Sequence, residues 1–231
     1  MKAQITYISH YFDSITQSDQ AIRSFDAFKN WEVEKTPGVT PETVKSQFEY
    51  NIPIKENSRL LDFKKEDTLR YLTKLSCVIN HVKFFRRVIA ADEPMVFLEH
   101  DALCTRSWVD VDFDEYLILN AEYVFKPPNK LALRQYKDYV WPGTKGVYEM
   151  QQDYRLTYYR DNNWNGSFMA PGTGAYALTP KGAKRLLAAA EKNLDQSDFL
   201  INSYNVNMQY LLPSPIKFNS VNLSTSYGIQ I

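Results

Sequence analysis

The sequence predicts an α/β fold, and three observations carry that prediction. The run Met95-Val96-Phe97-Leu98 follows Pro94 and is too short and too punctuated for a helix, so it reads as a buried strand. Before it, Asp67 to Ala91 repeats apolar side chains every three or four residues, at Leu72, Leu75, Val78, Val82, Phe85 and Ile89, which is the spacing of one helix face. After it, Tyr176-Ala177-Leu178 reads as a strand, and Thr179-Pro180 caps a helix over 181–192 with proline at its first position. Strands alternating with helices define the class.

The remaining elements follow in order. Gln4 to Ser9 reads as an opening strand. Ser18 to Asn30 is expected to be a helix, with Ser18 or Asp19 as its cap and Ile22, Phe25 and Phe28 on its apolar face. Residues 36–62 carry prolines and turn formers and are expected to be loop with short elements. Tyr116 to Asn120 reads as a short strand, Leu200 to Leu212 as a further helix, and 214–231 as a polar tail, strand-like or irregular. The stretch 126–168 is rich in Tyr, Trp, Lys and Asn without periodicity; a patternless stretch of that length is often a lid or an acceptor-binding insertion. We therefore expect one domain over 1–231 with an insertion at 126–168.

Composition narrows the function. The chain has 231 residues, 44% hydrophobic and 14% aromatic, enough to fill a sizeable core. Its 27 basic and 27 acidic residues cancel, which argues against nucleic-acid binding. There is no long uncharged apolar run to span a membrane, and the N-terminus Met1-Lys2-Ala3-Gln4-Ile5 has no apolar signal region, so a cytoplasmic protein is expected. Cys77 and Cys104 lack metal-ligand spacing and read as reduced thiols, with a single disulfide left open.

The apolar run 95–98 ends in Glu99-His100-Asp101. Ligands in open α/β sheets bind at the carboxyl ends of strands. Alternation along an extended chain would turn Glu99 and Asp101 to one side and His100, as a packed or solvent-facing side chain, to the other. Two hard oxygen donors so placed suit Mg²⁺ or Mn²⁺ against a phosphate. The plain alternative is a strand that ends in polar loop residues.

Three further stretches accompany this one. The long helix reads Leu75-Ser76-Cys77-Val78-Ile79-Asn80-His81. Gly172-Thr173-Gly174-Ala175-Tyr176 precedes Lys181-Gly182-Ala183-Lys184, and Leu194-Asp195-Gln196-Ser197-Asp198 follows. Together and in this order they resemble family 25 glycosyltransferases, the lipooligosaccharide and collagen galactosyltransferase type, over roughly residues 70–215. The chain differs at Asn80, where that family has Ser, at His100, in the middle of its acidic triplet, and at the first strand, where Arg23 is the nearest arginine.

The resemblance implies a GT-A-like α/β/α sandwich with a mostly parallel central sheet. It implies a hexosyltransferase that moves galactose or glucose from a nucleotide sugar, UDP-linked, to an acceptor hydroxyl with inversion. The acceptor would be a saccharide or a protein side chain. Asp101 and Glu99 would hold Mn²⁺ or Mg²⁺; Glu99, His81, Arg23, Gly172 and Thr173 would contact the donor; Asp198 and Asp195 would supply the base. Asp195 could equally cap a helix starting near Gln196. Tyr139, Trp141, Tyr158 and Trp164 could stack on sugars or simply pack. Rival readings are a metal-independent transferase or nucleotide-sugar hydrolase, and a carbohydrate-binding or assembly protein without turnover.

Overall fold

The computed structural model describes residues 1–9, 11–47, 52–56, 58–124, 144–150 and 173–219. In chain order the elements are β1 (Lys2–Tyr7), α1 (Phe12–Phe25), β2 (Glu32–Pro37), α2 (Val44–Gln47), α3 (Arg59–Glu66), α4 (Thr68–Ala91), β3 (Met95–Glu99) and β4 (Ala102–Cys104). They continue with β5 (Tyr116–Ile118), α5 (Ala121–Val124), β6 (Gly146–Glu149), β7 (Ala175–Leu178), α6 (Pro180–Lys192), α7 (Ser197–Leu200), β8 (Met208–Leu212) and β9 (Ile216–Phe218).

Seven strands form one sheet in the order β2-β1-β3-β7-β5-β8-β6, and β4 pairs with β9 in a separate ribbon. Among the described strands of that sheet, β2, β1, β3, β5 and β8 run one way, while β7 and β6 run against them. The sheet is thus mixed and mostly parallel, as expected. Both faces are covered at its centre, which is why β3, β7 and β5 read as unbroken apolar runs rather than alternating ones. Met95, Phe97, Tyr116, Ile118 and Tyr176 face a core built with α4 and α6. Val96, Leu98, Leu117, Ala175 and Ala177 face a second core built with Ala21 and Phe25 of α1 and with Ala102, Trp108 and Ile216.

The strongest sequence signals hold. Helix α4 begins where Asp67 accepts a hydrogen bond from Arg70 N–H (3.0 Å) and ends at Asp92 in the left-handed region (φ 50°). Helix α6 is capped by Thr179, whose hydroxyl accepts from Gly182 N–H at 3.2 Å. Gly182 is required there: a Cβ would stand 2.6 Å from the Glu115 carbonyl oxygen.

Other expectations need correction. Helix α1 starts six residues before Ser18 and stops at Phe25, because its start has no side-chain cap to read. Phe28 lies beyond it but still packs on the second core. Strand β2 falls mostly on residues to which the sequence reading assigned no element, and only Thr36 and Pro37 lie in the expected loop 36–62: Glu32, Glu34, Lys35 and Pro37 are edge-strand residues and mimic loop composition. The expected helix Leu200–Leu212 is instead a turn and strand β8. Asn202 breaks it, its Oδ1 accepting from Tyr204 N–H (2.9 Å) and Asn205 N–H (3.0 Å). Most of 126–168 lies outside the described residues; its described part includes β6, which pairs with β8. No helix among the described residues is long and apolar enough to cross a membrane.

Candidate active site

The chain leaves β1 for β2 on one side and later returns to β3 on the other side of β1. Such a reversal opens a crevice at the carboxyl ends of the diverging strands, where α/β sheets bind ligands. A cleft lies at that place. Thr6, Tyr7 and Ile8 line it after β1, and Val39 and Pro41 after β2. Thr73, Ser76, Cys77, Asn80 and His81 line it from α4, and Phe97, Glu99 and His100 from the end of β3.

Of the predicted acidic pair, Glu99 lines this cleft, and Asp101 lies two residues on in the turn that follows β3. Strand β3 ends at Glu99, and His100 and Asp101 occupy a turn, so strand alternation no longer governs them. His100 therefore does not face away: it lines the cleft beside Glu99 and is 8% exposed. Glu99 opens to solvent on the cleft side and is enclosed by protein elsewhere. That enclosure, then the charges of Asp101 and Asp198, push its carboxyl well above the usual range, against the opposing charge of Lys74. Burial also raises Asp101, with His100 opposing. Gly174 seats the Glu99 carboxylate: a Cβ there would stand 2.9 Å from Glu99 Oε2 and 2.5 Å from the Phe218 ring, and Glu99 N–H donates to the Gly174 carbonyl at 2.8 Å.

Two buried polar atoms in the acidic turn have no hydrogen-bond partner, Asp101 Oδ1 and His100 Nε2. A carboxylate oxygen left so fits a cation. Among the described residues no group of three or more His, Cys, Asp or Glu side chains could hold a metal. Mg²⁺ and Mn²⁺ do not require one, since one or two carboxylates suffice where waters and phosphates complete the shell. The acidic turn therefore fits such an ion.

The other predicted residues separate into three groups. His81 and Thr173 join Asp198. His81 Nδ1 lies 2.8 Å from the Tyr176 hydroxyl, its Nε2 lies 3.4 Å from Thr173 Oγ1, and Thr173 Oγ1 donates to Asp198 Oδ1 at 3.3 Å. Burial against Phe97, at 4.4 Å between ring centres, lowers His81 to about 3, so the ring is neutral. Burial raises Asp198, while Lys74 and two Thr173 hydrogen bonds pull it back. Asp195 and Arg23 stand apart. Asp195 Oδ1 accepts from Ser58 Oγ (2.5 Å) and Gln196 N–H (2.8 Å), and Lys55 lies 3.8 Å from its other oxygen. It anchors the segment before α3 and does not cap α7, whose cap residue Gln196 makes no side-chain cap bond. Arg23 is exposed in the last turn of α1 and is not among the cleft residues. Gly172, Tyr139, Trp141, Tyr158 and Trp164 lie outside the described residues. Cys77 and Cys104 are both free thiols.

Sequence reading missed Lys74 and Tyr176. Lys74 stands two turns before His81 on the same stripe of α4, a spacing that places its charge by the acidic residues. Tyr176 read only as a strand residue, since nothing local marks a buried hydroxyl.

Fold and cleft together define an α/β protein with an acidic cleft at a topological switch point. No family model and no curated protein sequence matches the chain. A solved galactosyltransferase, LgtC, in complex with donor and acceptor sugar analogs, is similar in structure at a TM-score of 0.39 and 9% identity, over 91% of this chain and 73% of that one. At that level of likeness it assigns no residue and no reaction.

Proposed function

We propose that this chain is a glycosyltransferase of the family 25 type. It transfers galactose or glucose from a UDP-linked donor to an acceptor hydroxyl with inversion. The observation that carries the reading is the electrostatically unfinished pair of Glu99, which lines a switch-point cleft, and Asp101, in the turn beside it. Protein interiors rarely leave such carboxylates unmatched unless a ligand completes them.

Asp101 and Glu99 are the residues that would hold Mg²⁺ or Mn²⁺. A bound divalent ion supplies charge neutralisation at the leaving diphosphate. The chain's own residues do the rest. The cleft walls at Thr6–Ile8 and Val39–Pro41 enclose the nucleotide, and the charge of Lys74 limits repulsion between donor and carboxylates. Asp198 takes the proton of the acceptor hydroxyl as that oxygen bonds the anomeric carbon, and the donor oxygen leaves with its electron pair. The segment 126–168, long and aromatic in sequence, is assigned to the acceptor.

Titration calorimetry of UDP with and without Mn²⁺, on wild type and Asp101→Asn, tests this. Wild type is expected to bind UDP more tightly with Mn²⁺, and the variant to lose that gain. Equal affinity in all four measurements moves the reading to a metal-independent transferase or hydrolase. UDP release that needs no acceptor would separate hydrolysis from transfer.

A further inference from the structure

We propose that Tyr176, His81 and Thr173 form a one-way hydrogen-bond chain that ends on Asp198 and positions its carboxylate. The role of Asp198 rests on the transferase reading, but the chain itself rests only on geometry.

The chain runs from the core out to Asp198. Tyr176 is 0% exposed, His81 2% and Thr173 4%, and Asp198 is half-buried. Each link has limited protons to give. Tyr176 keeps its hydroxyl proton, since burial pushes it well above the ordinary tyrosine value. His81 packs among Phe85, Phe97 and Tyr176, is neutral, and so carries one N–H. Thr173 has one hydroxyl proton and points it at Asp198 Oδ1. With that proton spent, Thr173 Oγ1 can only accept from His81, so the imidazole proton must be on Nε2. His81 Nδ1 then offers a lone pair and accepts from Tyr176, at 2.8 Å. Every donor faces toward Asp198, and an ionised carboxylate accepts that last donor more strongly than a protonated one. The opposite order needs a protonated Asp198. The chain therefore favours the form that can act as a base.

Rigidity reinforces the direction. Tyr176 stacks on Tyr116 with ring centres 4.6 Å apart, and His81 stacks on Tyr176 at 5.7 Å. These rings hold the first two links still, so Thr173 receives a fixed donor and keeps one rotamer. Tyr176, His81 and Thr173 are positioning residues on this account. His81 and Thr173 act through Asp198, not on the donor as the family resemblance implied.

Nuclear magnetic resonance on the full-length, isotope-labelled chain tests the proposal without any substrate. Long-range ¹H–¹⁵N spectra of the three histidines are expected to show His81 protonated on Nε2 and unchanged from about pH 5 to 9. The ¹³C titration of Asp198 should move upward in Thr173→Val, which keeps shape but removes the donor, and return in Thr173→Ser. Glu99 and Lys74 are the same in all three proteins, so their charges cancel from the comparison. With UDP-galactose or UDP-glucose as donor and Mn²⁺ present, Thr173→Val should lower kcat about 100-fold at unchanged donor KM, and Tyr176→Phe should lower it less. A His81 proton on Nδ1, or an Asp198 titration unmoved by Thr173→Val, overturns the chain. Wild type that turns over neither donor sinks the transferase reading, and the spectra still decide the chain.

Discussion

Two glutamates mark opposite ends of the sheet and are treated in opposite ways. Glu115 stands just before β5, and Glu99 closes β3, which runs in the same direction. Glu115 is 1% exposed, and burial works to raise its carboxyl. Asn207 N–H donates to it at 2.7 Å, Arg185 donates to both oxygens at 3.1 and 2.9 Å, and Lys181 lies at 3.3 Å. These partners win, and the carboxyl falls below its ordinary value. Burial raises Glu99 as well, but there two further carboxylates add to it and only the charge of Lys74 opposes, so its carboxyl rises. The chain matches the charge of Glu115 and leaves that of Glu99 unmatched.

Substitutions can break that contrast. The largest expected effect is at Asp198, whose charge acts on Glu99. Asp198→Asn should lower turnover about 10²- to 10⁴-fold while donor affinity and melting temperature stay near wild type. Asp195→Asn, which loses the Ser58 and Gln196 hydrogen bonds, should show its main loss in melting temperature. Turnover near wild type in Asp198→Asn would remove it from the reaction.

Next in size is Glu115→Gln. It leaves Arg185 and Lys181 without their buried anion and should cost on the order of 3 kcal/mol in urea unfolding. Glu99→Gln should leave stability unchanged or higher, because it removes repulsion. If both variants lose stability equally, the two glutamates are alike and the contrast fails.

A smaller effect sharpens the comparison through pH. Burial, then the charges of Asp101 and Asp198, push the folded Glu99 carboxyl up to about 8, against 4.5 for the ordinary side chain. Between those values the folded state holds a proton that the unfolded state has lost. The associated stability is full below the lower value and is lost as pH rises through the upper one. Metal-free protein should therefore melt progressively lower across that window, and Mn²⁺ should flatten the slope at its alkaline end. A slope the same in Glu99→Gln would assign it to other groups.

The smallest expected effect is at Gly174→Ala. The added methyl displaces the Phe218 ring or the Glu99 carboxylate. It should cost about 1–3 kcal/mol and weaken the Mn²⁺-dependent part of UDP binding more than the metal-free part. Equal weakening of both would separate Gly174 from Glu99.

What the sequence made legible follows from how local each signal is. Helix α4 repeats its apolar stripe over six turns and carries its own cap, and β3 ends in the acidic residues themselves, so both could be read directly. Strand β2 could not, because Glu34 and Lys35 are spent on distant partners, Arg87 and Asp19. His100 was misjudged because strand alternation was carried one residue past the strand's end. The link from Tyr176 to Asp198 joins three separate segments through side chains 95, 92 and 25 residues apart, and no local pattern encodes such a path.

Asn80, the residue that departs from the resembled family's serine, has a mechanical consequence. Its carboxamide accepts from Val39 N–H at 2.6 Å and donates to the Val39 carbonyl at 3.1 Å. One side chain thus copies the two-point grip of a neighbouring strand, and Gly38 lies flat enough beside it that a Cβ would stand 3.1 Å from Asn80 Nδ2. A serine has one rotor and could hold only one of those two points at a time. The loop after β2 is therefore bolted to the helix that carries His81, and the aperture between them is fixed in width. Guests enter such a cleft by fitting a jaw already set, and the Val39 amide should be among the slowest loop amides to exchange with solvent.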